Sequence, residues 1–166
     1  MQESFKEWGK AILWASVIIV FLFFFSWPMR LMGSSMEPTM GDGELVLMNR
    51  FAALQGHYEK GDIVMFHYFD AEGNKTVVKR IIATEGDHIR ILEEGVEVNG
   101  EIIEEPYTEG KTDGLVDMTV PEDTVFVMGD NRQASFDSRN MGAIPCGDLK
   151  GKVFFRVYPF GKFGGI

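Results

Sequence analysis

Residues 11–27 contain no charged side chain and include the unbroken run Val17-Ile18-Ile19-Val20-Phe21-Leu22-Phe23-Phe24-Phe25. Such a stretch is costly to leave in water, so it constrains everything that follows. As a helix, 17 residues span about 25 Å, the short end of what crosses a bilayer. The stretch extends to Met29 before Arg30 interrupts it. Trp14 and Trp27 suit interfacial positions, and Lys10 and Arg30 mark the two ends. A cleaved signal peptide would have a shorter apolar core and small residues at the cut; Phe24-Phe25-Ser26-Trp27-Pro28-Met29 has no Ala-x-Ala pattern. A core helix would show a polar face, and here only Ser16 and Ser26 are polar. The sequence therefore predicts one uncleaved transmembrane helix over 11–29. It divides the chain into a short cytoplasmic N-terminus (1–10), the anchor, and an extracytoplasmic domain (30–166). The orientation rests on a small bias: Lys6, Lys10 and the terminal amine precede the span, and Arg30 and then Arg50 follow it.

Beyond Arg30 the chain reads as β-structure. Runs at 44–49, 63–68, 76–84, 124–128 and 153–158 are rich in Val, Ile, Phe and Tyr. Gly41-Asp42-Gly43, Lys60-Gly61-Asp62, Glu85-Gly86-Asp87 and Gly129-Asp130-Asn131 separate them as turns. Alternating apolar residues flank Asn99-Gly100, which suits a type I′ hairpin turn. Many short strands without crossover helices predict a mainly β domain of antiparallel sheets in a compact, partly open barrel-like form. The C-terminal run Val153-Phe154-Phe155-Arg156-Val157-Tyr158-Pro159-Phe160 reads equally as a membrane-facing surface or as a strand half in the core.

Net charge is −9 and no dense Lys/Arg stripe occurs, which argues against a nucleic-acid partner. The lone cysteine, Cys146, rules out an intrachain disulfide and has no neighbour that would activate a thiolate. Three histidines (His57, His67, His88) show no metal-ligand spacing, and neither a metal nor another cofactor is called for.

Three stretches carry more specification than turns and strands need. They are Gly33-Ser34-Ser35-Met36-Glu37-Pro38-Thr39-Met40, then Val77-Val78-Lys79-Arg80-Ile81-Ile82, then Gly129-Asp130-Asn131-Arg132-Gln133-Ala134-Ser135-Phe136-Asp137-Ser138-Arg139. A serine hydroxyl needs a base to become a nucleophile, and none of these stretches contains histidine. Lys79 is the candidate base. It lies in an apolar strand, where burial would lower its pKa. Acting near neutral pH requires a drop of roughly 3 units from about 10.4, or about 4 kcal/mol. Arg80, next along the strand, would point to the other face and keep its charge. Taken singly, the stretches read more readily as a turn, a snorkelling lysine and a Gly-Asp-Asn bend.

Together they resemble the type I signal peptidases, in the compact single-anchor form of Gram-positive bacteria. The resemblance rests on Ser35-Met36-Glu37-Pro38-Thr39, Gly61-Asp62-Ile63-Val64, Lys79-Arg80-Ile81-Ile82 through Gly86-Asp87, and the stretch from Gly129 to Arg139, in that order behind an anchor. It implies a membrane-bound serine endopeptidase that removes signal peptides from secreted preproteins after small residues, at Ala-x-Ala-like sites. Carried over position by position, Ser35 is the nucleophile and Lys79 the neutral general base. Ser135 orients the lysine amine, Asp137 and Arg139 form a supporting ion pair, and Asp130 partners Arg80. The Ser35 N–H serves the oxyanion hole. Some relatives add a hydroxyl where this chain has Gly33, so a second donor must come from main chain or water. Leu31, Met32, Gly33, Ser34, Met36, Met40, Val77 and Val78 are expected to line shallow substrate pockets. The bound peptide is expected to be extended, along residues 31–35 and 77–79. Expected partners are preprotein signal peptides, the lipid bilayer and the secretion translocon, at the cell membrane with the catalytic domain outside.

Two rivals differ in class. An autocleaving repressor shares the Ser-Lys logic but carries a DNA-binding domain where this chain has an apolar helix. A membrane-anchored scaffold would have no use for both Ser35 and Lys79.

Overall fold

The period of two in Leu45-Val46-Leu47-Met48 sends Val46 and Met48 inward, at 0% and 1% exposure, and leaves Leu45 and Leu47 half-buried. The same alternation recurs through a computed structural model of the chain, which describes residues 2–70 and 73–166. The side chains of residues 2–5, 23, 24 and 70 lie outside this description.

The first element is helix α1, Gln2–Phe25. Pro28 ends it early, because the residue before a proline is driven to extended backbone. Trp27–Arg30 consequently forms strand β1 and not the last turn of the expected anchor over 11–29. A proline is tolerated there because β1 is an edge strand. The helix also begins sooner than expected and includes most of residues 1–10. No helix among the described residues is long and apolar enough to cross a membrane. Even so, Ile12, Leu13, Trp14 and the run from Val17 to Leu22 are 49–66% exposed along α1.

Strand β2, Leu45–Asn49, is followed by the short helix α2, Phe51–Gln55. Next come β3, Ile63–Asp70, and β4, Gly73–Thr84. Then β5, His88–Leu92, β6, Gly95–Val98, β7, Glu101–Ile102, and β8, Asp117–Thr119, make a separate small sheet in the order β7-β6-β5-β8. Finally β9, Thr124–Met128, leads through α3, Ser138–Met141, and β10, Ile144–Pro145, to β11, Leu149–Tyr158, and β12, Gly164–Gly165. The large sheet runs β1-β2-β11-β3-β4-β9-β10, antiparallel throughout, with β12 beside β11.

The barrel-like expectation holds only in part. The sheet does not close, since β1 and β10 end its path. It does curl: Met29, Leu31, Met36 and Met40 pack with Met65 and Val78 in one core cluster, although three strands separate β1 from β4. Residues 73–80 of β4 pair with β3, and β9 joins the other side only from Arg80 onward.

The Asn99-Gly100 hairpin forms as expected, with φ of 55° and 86°. Strands β5 and β8 were not anticipated. Strand β5 pairs its polar side chains with both neighbours, His88 2.9 Å from Asp117 on β8 and Arg90 2.7 Å from Glu97 on β6. Alternation of His88 and Arg90 with Ile89 and Ile91 is the signal that could have found β5.

Arg132 ties the small sheet's long loop to the large sheet. Its guanidinium is 2.5 and 2.8 Å from the Glu105 oxygens and donates to Gly129 O at 3.1 Å. With the Arg132 side chain fully buried, truncating it would strand the Glu105 charge. Arg132→Ala should lower the unfolding free energy by about 3–5 kcal/mol, measured by denaturant titration in neutral detergent. A loss below about 1 kcal/mol would contradict this role.

Candidate active site

Ser35 and Lys79 are 44 positions apart in sequence, and their side chains meet: Lys79 Nζ donates to Ser35 Oγ at 2.7 Å. Strand β4 supplies the lysine from a stretch where Val78, Ile81 and Ile82 are also buried. The turn after β1 supplies the serine, and it is pinned at several points. Leu31 N–H donates to Glu44 O at 2.9 Å, and Gly43 N–H to Leu31 O at 3.0 Å. On the far side, Asn131 N–H donates to Ser35 O at 3.1 Å.

Lys79 is 2% exposed. Burial pulls its pKa from the ordinary 10.5 down to about 8, against the pull of the Asp137 and Asp130 carboxylates and with a smaller push from Arg139. No carboxylate hydrogen bond holds the amine in its charged form: the hydrogen bond described for Nζ goes to a hydroxyl.

The nearby carboxylates are held by other partners. Asp130 receives Arg80 Nε at 2.9 Å and Nη2 at 2.7 Å, and Thr39 Oγ1 at 2.5 Å. Arg80 also lies 4.0 Å over the Tyr107 ring. Asp137 receives Arg139 Nε at 2.9 Å, Gly129 N–H at 3.0 Å and Ser135 Oγ at 2.7 Å. Burial alone would raise the Asp137 pKa. The hydrogen bonds from Arg139, Gly129 and Ser135 outweigh it and hold the carboxyl below the usual range. The expected pairs Arg80–Asp130 and Asp137–Arg139 thus both form.

The Ser135 hydroxyl donates its proton to Asp137, so toward the lysine it can act only as an acceptor. Gly33 differs from what an oxyanion hole would need, since its N–H donates to Asp42 at 2.7 Å. Cys146 is pushed up by burial and by the Asp123 and Glu85 carboxylates, away from thiolate.

A cavity of about 110 Å³ opens beside the pair. Of the expected lining, Leu31, Met32, Gly33, Met36, Met40, Val77 and Val78 border it, and Ser34 does not. Ser34 is exposed, in the turn where its carbonyl accepts Glu37 N–H at 3.1 Å. Met29, Arg30 and Thr76 line the cavity without having been anticipated. Met29 and Arg30 were assigned to the anchor's end, and Thr76 to strand scaffolding. Gly129 opens the third of the motif stretches. A Cβ there would run into the Ser135 side chain and stand 2.5 Å from Ser35 O, so glycine is required for this loop to approach the serine.

Residues 5–158 match the family described as signal peptidase, peptidase S26. Signal peptidase I P of Bacillus subtilis subsp. natto is 34% identical, over 96% of this chain and 91% of that protein. Signal peptidase IB of Staphylococcus aureus strain Mu50 is 34% identical, over 98% and 94%. A solved signal peptidase I from Enterococcus faecalis V583 aligns with 58% of this chain and 96% of its own, at a TM-score of 0.47 and 25% identity. Given this near full-length agreement with relatives of one kind, the chain belongs to the peptidase S26 signal peptidase family and is a serine peptidase.

Proposed function

We propose that the chain removes N-terminal signal peptides from preproteins by cleaving after small residues, with Ser35 as nucleophile and neutral Lys79 as general base. The observation that carries this reading is the 2.7 Å contact between a hydroxyl and an amine that burial holds near pKa 8. Once the amine is neutral, the same contact reverses: Ser35 O–H donates to the Nζ lone pair. Lys79 takes that proton as Oγ attacks the scissile carbonyl. The ammonium then protonates the leaving amine, which frees the mature protein's N-terminus. Lys79 next takes a proton from the water that attacks the acyl-enzyme and gives it to Ser35 Oγ as the ester bond breaks, which restores both groups.

Ser35 N–H is the proposed oxyanion donor. Gly33 N–H is already engaged by Asp42, so a second donor must come from elsewhere, such as water. Ser135 acts as a positioning residue: with its proton fixed on Asp137, only its lone pairs can turn toward the lysine. The Asp137–Arg139 and Asp130–Arg80 pairs give each buried carboxylate an arginine, so that neither takes Lys79 as its ion-pair partner.

The substrate reading follows from the cavity and the sheet edge. An extended peptide can add along residues 77–79, where β4 has β3 on one side only, with residues 31–35 opposite. A cavity of about 110 Å³ bordered by methionines admits a small side chain and resists a large one. Helix α1 is the proposed single-pass anchor, N-terminus in the cytoplasm and catalytic domain outside. Its exposed apolar side chains support this reading. Its apolar helical part, residues 11–25, covers about 22 Å, so Lys10 would have to snorkel to the interface. The translocon and the bilayer are the proposed partners beyond the preprotein.

Two outcomes are expected. In detergent, the protein should cut a preprotein at an Ala-x-Ala site, and Ser35→Ala and Lys79→Ala should each lower kcat/KM by at least about 10³-fold. Retention of full activity by either variant would refute the mechanism. The rate should also follow the neutral amine: with a pKa of about 8, kcat/KM rises about tenfold between pH 7 and pH 9 and falls away below pH 7. A profile flat over that window would show that Lys79 is not the base.

A further inference from the structure

A second cavity, about 440 Å³, lies at the end of the large sheet where α1 joins it. Its size is within the roughly 300–1,000 Å³ of small-molecule sites. The lining combines cationic and polar groups (Arg50, Lys150, His67) with an apolar floor that includes Met48 and Leu149 and a rim of Trp27 and Leu54. Among the described residues no acidic side chain borders it; Asp148, in the same turn, is exposed and does not line it. In a chain of net charge −9, a cavity whose charged lining residues, Arg50 and Lys150, are both cationic is a departure that bulk charge does not explain. Its location is also specific. Phe25, the last residue of α1, stacks on Phe51, the first of α2, at 5.1 Å. The Arg50 guanidinium lies 4.9 Å over the Trp27 ring, just beyond the helix end. Leu54 and Trp27 are 69% and 40% exposed. Exposed apolar side chains beside two cations, at the level where an apolar helix ends, match the layering of a membrane interface.

We propose that this cavity binds the phosphate of an anionic phospholipid headgroup, with Arg50 and Lys150 as the charged donors, His67 as a further polar contact, and Trp27 and Leu54 against the acyl boundary. The inference rests on the reading of α1 as a membrane anchor. It assigns the domain a fixed seat at the bilayer surface, separate from the catalytic cavity.

The test titrates short-chain phosphatidylglycerol into the full chain in neutral detergent, in a Trp8→Phe/Trp14→Phe background that leaves Trp27 as the reporter. Saturable change in Trp27 fluorescence is expected, with short-chain phosphatidylcholine giving none. Arg50→Gln/Lys150→Gln should weaken apparent affinity at least tenfold. Arg50→Lys/Lys150→Arg, which keeps both charges, should recover most of it and guards against misfolding. Lys60→Gln/Lys111→Gln should leave it unchanged. Equal response to phosphatidylcholine, no saturation, or equal loss in the control pair would overturn the proposal. Inorganic phosphate that binds as tightly as the lipid would also overturn it, by making the site one for free anion. The readout does not pass through peptide hydrolysis, so it is independent of the catalytic reading. Flotation of the full chain with neutral vesicles reports on the anchor separately: flotation without headgroup binding leaves the anchor intact and removes only this site.

Discussion

One lysine amine buried against a serine hydroxyl is the constraint on which the rest of this structure depends. Holding a group with an ordinary pKa of 10.5 near 8 costs about 3 kcal/mol at neutral pH. The sign follows from linkage. Between about pH 8 and 10.5 the unfolded chain holds the proton that the folded chain has lost, so stability rises with pH across that window. Below it the whole penalty stands. A fold of this size must offset that penalty with packing, and Lys79 accordingly lies in a strand whose buried neighbours belong to the core: Val78, Ile81 and Ile82. Pairing the amine directly with a carboxylate would remove the penalty and also the proposed base. Instead the buried carboxylates each have another cation: Arg80 for Asp130, Arg139 for Asp137.

The same logic explains the loop that follows β9. It carries Gly129, Asp130, Arg132, Ser135, Asp137 and Arg139, and nearly every one touches another segment. Gly129 permits close approach to Ser35, Asn131 fastens the Ser35 carbonyl, and Arg132 reaches Glu105. The loop therefore fixes the serine from behind while β4 presents the lysine from the side. Curling the large sheet without closing it leaves residues 77–79 and the segment after β1 on two sides of one cavity, which is where an extended substrate is proposed to enter.

Much of this was legible in the sequence because the period-two strands, the Asn99-Gly100 turn and the ordered motifs are local signals. Strands β2, β3, β4, β9 and β11 fall where alternating Val, Ile and Phe put them. The partners Arg80–Asp130 and Asp137–Arg139 were accessible through resemblance, since no spacing rule brings residues 80 and 130 together. What was not legible depended on three-dimensional context. Pro28 converts the anchor's expected last residues into an edge strand. Charged residues on β5 and β8 hide short strands that are stabilised by cross-strand pairs. The Ser135 proton and the Gly33 N–H have acceptors, Asp137 and Asp42, whose positions only the folded loops define.

Burial in the fold brings the Lys79 pKa down toward physiological pH. Titration of the lysine Nζ-adjacent carbon by NMR, with Lys79 assigned from a Lys79→Arg spectrum, measures this directly and without substrate. The expected midpoint is near pH 8, well below that of the exposed lysines. A midpoint at the ordinary value of about 10.4 would mean the amine is charged throughout the working range, and the proposed Ser35–Lys79 chemistry would fail with it.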